Sequence, residues 1–461
     1  ISSGGYNVAV GCNALDANTT AANNTAVGYA ALGANTTGAS NTAVGYNTLT
    51  ANTTGAGNTA LGAYALDANT TAANNVAVGY NALTGNIEGA DNVAVGYNAL
   101  PVNTVAGSTG VGANALNVNT TGANNTAVGR NVMVSNTTGA ENVAVGSYAL
   151  DANTTSHSNT AIGHQSLGAN TTGADNVAVG NSALAQNTTA TRNTAMGKAA
   201  GYTNTTGTIN TFLGYYAAFA NTTGGYNVAV GDSSLRLNTT ASNNTAVGYS
   251  ALYASTTGAN NTAVGYQAGV SNTTGAQNVM LGVLAGQTLT TGTYNVYIGY
   301  NNNPSAVGVD HEIVIANGNK VGKGASTGFI APSTGAVYQG NNSTAWTATS
   351  DRRIKKDIVP NTKGLAAIIQ LEPMNFYYKS DEELQEELPG AKEGLPLNKL
   401  TTSAIAQELD LIFPEAIQRR GEHGIMSVNT DPIFWSMINA IKELSAEINQ
   451  LKQWKEEHTC D

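Results

Sequence analysis

Ser350 opens the stretch SDRRIKKD, in which Lys355 and Lys356 stand five and six residues downstream. A serine becomes a nucleophile when a neighbouring base takes its proton, and a partly desolvated lysine with a lowered pKa can serve. Attack by Ser350 on the carbonyl of Thr349 closes a five-membered ring, whereas attack on its own carbonyl would close a four-membered one. Scission just before Ser350 is therefore favoured, with the bond to Asp351 as the alternative, and Thr349, Ser350 and Asp351 form the candidate cleavage site. On spacing alone SDRRIKKD reads as a solvated basic turn; only the surrounding sequence weighs against that.

Other chemistry is sparse. Glycan cleavage calls for two carboxylates about 5 to 10 Å apart, and the first 300 residues hold only eight acids, of which Glu88 and Asp91 are the closest pair. A solvated edge accounts for them better. His157 and His164, seven apart, make no metal constellation without further ligands, so no metal and no cofactor is expected. Cys12 and Cys460 sit at opposite ends and define no disulfide framework. Many NTT triplets, at Asn18, Asn35 and Asn52 among others, are formal glycosylation sequons. A buried structural ladder is the preferred account of those asparagines, and hydrogen-bonded turns that of the Thr array at Thr19, Thr36 and Thr53, over an ordered-water face.

These residues are set in an unusual chain. Of 461 residues 53 are Gly, and 10% are charged against roughly 25% in an average soluble domain. With 9 Pro and 41% hydrophobic residues it does not have the composition of a disordered chain and can bury a core. A net charge of −10 and the scarcity of Lys and Arg argue against nucleic-acid and anionic-membrane partners. No apolar run of about 18 residues is present to span a bilayer, and no membrane insertion is expected. The chain opens at Ile1 without Met, so an N-terminal anchor removed or left out is expected.

What positions the rest is a repeat, NTAVGYxALxANTTGAx. Its AVG-type glycine recurs 18 times from Gly11 to Gly299, always 17 apart except for one step of 16 ending at Gly112. Four residues before the glycine stands Asn in 17 of the 18 units, Ser108 being the exception. A second Asn column follows seven residues after the glycine, at Asn18, Asn35 and onward, interrupted by Ser255 and Leu289. If each unit is one coil, like amides stack about 4.8 Å apart and bond up the column. The residue before each glycine is always Val, Leu, Ile or Met, as at Val27, Leu61, Ile162 and Met196, and is expected to face inward. Leu32 and Leu83, four after their glycines, are the second inward anchor. A helix is excluded, because Asn, Thr and Gly are poor helix formers and no 3.6-residue apolar stripe survives the unit. Each coil buries too little to stand alone, so stacking must stabilise it. The repeats resemble the heads of trimeric bacterial adhesins, whose coil is shorter than this 17-residue period.

From about residue 301 the composition changes, and 36 of the 48 charged residues fall in the last 161 positions. Residues 301–349, with the strand-like EIVIA from Glu312 to Ala316, read as a neck or shaft end. SDRRIKKDIVPNTKGLAAIIQLEPMNFYY, Ser350 to Tyr378, and SAIAQELDLIFPEAI, Ser403 to Ile417, together resemble the intramolecular chaperone of endosialidases and phage tail fibres, a self-cleaving serine peptidase family. The resemblance covers essentially all of 350–461. Departures are Ser403 and Ala404, where the family commonly has Gly and an aromatic, and an acidic insertion over roughly Lys379 to Leu400. It implies that Ser350 and Lys355 are the catalytic pair, with Lys356 as the fallback base, and that the only enzymatic event is a single self-cleavage. Met437, Ile441, Leu444, Ile448 and Leu451 alternate steps of four and three as a coiled-coil seam. Ile at one core position and Leu at the other would by themselves favour a dimer over so few heptads, whereas the resemblance implies a homotrimer, which is the expected state.

The expected fold is mostly β: a repetitive β-solenoid or β-roll of 17-residue coils over 1–300, the neck over 301–349, and an α+β chaperone domain over 350–461 ending in a coiled-coil helix. The expected function is a structural, receptor-binding fibre of a phage or phage-like particle that attaches to a host surface, located on the virion tail or another extracellular surface. Its partner there is a glycan or surface protein of the host. The alternative is a bacterial adhesin or appendage subunit with the same chaperone, and a glycan-degrading tailspike is the weakest reading.

Overall fold

The computed structural model describes residues 4–332, 337–339, 346–348, 358–377, 401–420 and 425–458. The chain divides into two compact units, Ile1–Thr349 and Ser350–Asp461.

In the first unit each repeat forms one three-residue strand, from β1 (Val8–Val10) to β18 (Val296–Ile298). Each strand pairs in parallel with the next at the repeat spacing, as Thr25↔Thr42, Ala26↔Ala43 and Val27↔Val44. The parallel ladder continues two strands past the last AVG-type glycine, through β19 (Ile313–Ala316) and β20 (Gly328–Ala331). Two antiparallel strands, β21 (Val337–Gln339) and β22 (Trp346–Ala348), complete a 22-stranded sheet. The expected mostly-β solenoid of 17-residue coils is what forms.

Thr and Val flank each strand because β-branched side chains fit a pleated surface. The glycine ends it because Gly28 has φ +138°, and a Cβ there would come within 2.2 Å of the Gly45 carbonyl oxygen of the next coil. The turn that follows places ordinary residues in the left-handed region, Ala30 and Leu32 both at φ 52°. Such a conformation costs roughly 1–2 kcal/mol per residue. It is held by the neighbouring coils: Ala30 N–H donates to Cys12 O at 2.9 Å and Leu32 N–H to Thr48 O at 3.1 Å.

The facing of the strand is the reverse of expectation. Ala26, the middle residue, is wholly buried, as are Asn24, Ala31 and Leu32. The residue before the glycine points outward: Leu61 is 48% exposed, Met196 47% and Ile162 40%. Alternation along a strand gives only two choices, and in most coils the inward Leu of the neighbouring coil fills the space beside the inner position, as Leu100 does beside Gly110. The inner position is Ala in most coils, together with an Asn whose backbone N–H and side-chain amide bond the neighbouring coils, as at Asn41.

Where a bulky residue replaces the inner Ala, the preceding coil answers with glycine in place of its Leu. Phe212, Met280 and Tyr297 occupy the inner strand position, each fully buried. Gly201, Gly269 and Gly286 stand 11 residues before them, at the Leu position. A Cβ on Gly201 would lie 2.6 Å from the Phe212 ring, and one on Gly269 2.6 Å from the Met280 sulfur. Interior volume is thus conserved between adjacent coils.

Among its described residues the second unit has two short α-helices, one long one and two antiparallel strand pairs. Helix α1 is Leu365–Ile368, α2 is Ala406–Ile412 and α3 is Asp431–His458. Strand β23 (Met374–Phe376) pairs with β24 (Thr401–Ser403), and β25 (Ile417–Arg420) with β26 (Ile425–Val428). Leu409, Phe413 and Ala416 form its core, with Ala367, Ile368, Leu371 and Ile433 packed around them. Asp431 and Pro432 at the start of α3 and Lys455 and His458 at its end suit the helix dipole.

Candidate functional site

Thr349, Ser350, Asp351, Lys355 and Lys356 lie outside the described residues, as does Cys460. What the structure places is the machinery on either side of them.

The repeat unit is an assembly of ladders. In the first column the Asn41 backbone N–H donates to Asn24 Oδ1 at 2.9 Å, and Asn41 Nδ2 donates to Gly55 O at 2.8 Å. Each amide thereby joins its own coil to both neighbours. Ser108 keeps both contacts, the second lengthened: its N–H donates to Asn92 Oδ1 at 2.8 Å and its Oγ to Gly122 O at 3.4 Å. The second column bonds amide to amide, Asn35 Nδ2 to Asn18 Oδ1 at 3.0 Å, and also closes its own turn onto Gly38 O at 3.0 Å. These asparagines are buried, so the sequon nitrogens are hydrogen-bonded donors of the fold rather than exposed acceptors of a glycan. Thr36 Oγ1 likewise donates to Thr53 O at 3.0 Å. At the two interruptions, Ser255 and Leu289, the preceding asparagines are left with buried oxygens lacking a partner, Asn238 Oδ1 and Asn272 Oδ1.

The first ladder ends in a buried carboxyl. Glu312 stands where the next Asn would fall, and its backbone N–H donates to Asn295 Oδ1 at 2.8 Å. Its Oε2 accepts from Tyr297 Oη and from Ser305 N–H, both at 3.1 Å, and Oε1 accepts from Gly324 N–H at 2.8 Å. Burial, and then the adjacent Glu312, push the Tyr297 phenol far above its ordinary range. Gly322 lies against it: a Cβ there would meet the Glu312 carboxyl at 2.0 Å and displace it from these partners.

In the C-terminal unit Lys363 is the organising cation. Its Nζ donates to Ile412 O at 2.6 Å and to Glu415 Oε2 at 2.9 Å, and lies 4.7 Å from the Phe413 ring centroid. Partial burial opposes ionisation of Glu415, but its own backbone N–H and Lys363 outweigh it and hold the carboxyl below its usual range. Asn439 Nδ2 donates to Asn361 O and Lys363 O, and Glu443 accepts from Leu365 N–H, so α3 clamps the 361–365 segment. A pocket of about 350 Å³ lies beside α2, lined by Leu371, Ala404, Leu409 and Ile412 among others. The α3 seam residues Met437, Ile441, Leu444, Ile448 and Leu451 are all exposed.

Sequence reasoning missed the outward aromatic column. Tyr29, Tyr46, Tyr64, Tyr80 and Tyr97 run up five coils with successive ring centroids 5.3 to 5.9 Å apart. Their recurrence one or two residues after the glycine was the available signal. Glu88 and Asp91 are exposed, and Asp91 accepts from Asn74 Nδ2 at 3.1 Å. Among the described residues no three His, Cys, Asp or Glu side chains converge as a metal site, and no helix is long and apolar enough to cross a membrane.

No solved structure matches the chain. Residues 350–418 match the family described as chaperone of endosialidase, and the chain is thus a repetitive β-solenoid followed by a segment that matches that family.

Proposed function

We propose that this chain is a fibre subunit of a phage or phage-like particle that attaches to a host surface, trimerised by a C-terminal chaperone which then cuts itself away. The observation that carries this is the position of the chaperone-of-endosialidase match, 350–418, directly after a repeat solenoid. Parallel chains with near-identical coils can pair one rung out of register at little local cost. A C-terminal unit that gathers three chains before the ladders close removes that error. The unit is dispensable afterwards, and cutting it off makes assembly hard to reverse. In the division we favour, 1–300 is the solenoid, 301–349 the neck and 350–461 the chaperone. Ser350 Oγ adds to the Thr349 carbonyl while Lys355 takes its proton; the C–N bond breaks as the Ser350 nitrogen is protonated, and water hydrolyses the resulting ester. A bacterial surface adhesin with the same chaperone is the second reading, supported by the likeness of the coils to adhesin heads.

The test compares Ser350→Ala with a chain ending at Thr349, by denaturing electrophoresis and by mass in solution. Ser350→Ala should give an uncut, folded, associated chain, and the truncation should give aggregated or misregistered material. A truncated chain that folds and associates as well as the intact one overturns the chaperone reading. Cutting of Ser350→Ala at the same bond overturns the Ser350 and Lys355 assignment.

A further inference from the structure

The outward face of the solenoid strands carries more order than a single chain needs. In β1 to β19 the first residue is always Thr, Val or Ile and the third always Val, Leu, Ile or Met. Both point away from the core, with Val128, Val145, Ile162, Met196 and Val264 between 36% and 47% exposed. The interior is already filled by Ala, Leu and Asn, and strand propensity, which Thr satisfies as well as Val, does not account for a third residue that is apolar in every coil. Other exposed positions vary freely: the residue before the ladder Asn is Glu141, Asp175, Arg192 or Tyr226 in different coils. The one short coil keeps the face intact as well. Its missing residue is absorbed at the corner, where Asn103 Nδ2 bonds Val105 O, and the strands remain paired as Val93↔Thr109 and Val95↔Val111.

We propose that this strand face is where copies of the chain pack on one another, parallel and in register, around a common axis. At about 4.8 Å per strand the face is a band about 90 Å long. Taken as two side chains wide it offers roughly 900 Å², comparable with the about 800 Å² per partner of a stable interface. Its first column mixes Thr with Val, but its third is an unbroken line of Val, Leu, Ile and Met, and an exposed apolar stripe of that length marks an interaction surface. A ridge repeating once per coil is matched along its whole length by an object of the same period, and another copy of this chain is such an object. No charged residue lies on the face in any coil, so like meets like without repulsion. The exposed α3 seam is an independent second surface of the same chain that needs partners. The number of copies, three, rests on the function proposed above; the choice of face does not.

Site-specific cross-linking of the full chain tests this. In a Cys12→Ser, Cys460→Ser background, Val145→Cys and Met196→Cys lie on the face, while Thr138→Cys and Thr189→Cys lie on the exposed NTT corner. A short bismaleimide should convert most of the Val145→Cys and Met196→Cys chains to covalent dimers and leave the corner variants below about a tenth of that yield. Linking at the corner instead, or at neither place in a chain that light scattering shows to be associated, overturns the face while leaving the trimer standing. A mass of one chain overturns both this inference and the trimer of the proposed function.

Discussion

Tyr297 Oη donates to the buried Glu312 carboxyl at 3.1 Å, joining the last AVG-type coil to the residue that ends the Asn ladder. Tyr297→Phe should cost about 1–3 kcal/mol at neutral pH by removing one donor from that carboxyl. The native phenol titrates above the unfolded value of about 10, so its contribution is present below pH 10 and is lost as pH rises beyond it. Unfolding followed by circular dichroism should therefore show a smaller alkaline loss in Tyr297→Phe than in the parent. Equal alkaline losses would contradict the coupling.

The glycine and bulky-residue pairs predict a double-mutant cycle. Phe212→Ala alone should destabilise by about 3–5 kcal/mol by leaving a cavity, and Gly201→Leu alone by about 1–3 kcal/mol through overpacking. The double variant restores the arrangement of the other coils. Leu there adopts the φ near +52° that Leu32 and Leu83 already have. Calorimetry should give a double variant more stable than Phe212→Ala, and simple additivity would sink the compensation argument.

Ladder continuity should be improvable as well as breakable. Ser255→Asn supplies the donor that Asn238 Oδ1 lacks, and should slow amide exchange in the flanking coils by an amount equivalent to about 1 kcal/mol. Asn136→Ala removes the 2.7 Å donation to Asn119 Oδ1 and should cost about 1–3 kcal/mol. Unchanged exchange in both would remove the amide column from the account of stability.

Acid should weaken the C-terminal unit through Glu415. Its carboxyl titrates lower in the native state than in the unfolded one, so it stabilises above the unfolded value of about 4.3, and this is lost as pH falls through the native value. Glu415→Gln should flatten the dependence of unfolding on pH between about 5 and 3, read from tryptophan fluorescence. An unaltered acid limb in that variant would exclude the Lys363 pair as its source.

Much of this molecule is legible in its sequence because its contacts are periodic. A 17-residue spacing of Gly and Asn can be met only by stacking equivalent residues, so the coil, the parallel pairing and the amide columns follow from counting. The motifs around Ser350 and Phe413 similarly mark a second unit of different chemistry. The 11-residue offset between Gly201 and Phe212 was also readable, although it acquires meaning only once adjacent coils are known to touch.

Which side of the strand faces in was decided only by tertiary structure. Hydrophobicity favours burying Val27 over Ala26, but a coil with left-handed Ala30 and an inward Leu32 leaves room for Ala and for an asparagine that bonds the neighbouring coils. Those φ values are disfavoured locally and exist because neighbouring coils hold them, which no single repeat can reveal. The Glu312 cap is of the same kind: a lone acidic residue in a neck sequence becomes the end of a ladder only when Tyr297, Ser305 and Gly324 converge on it from three different parts of the chain.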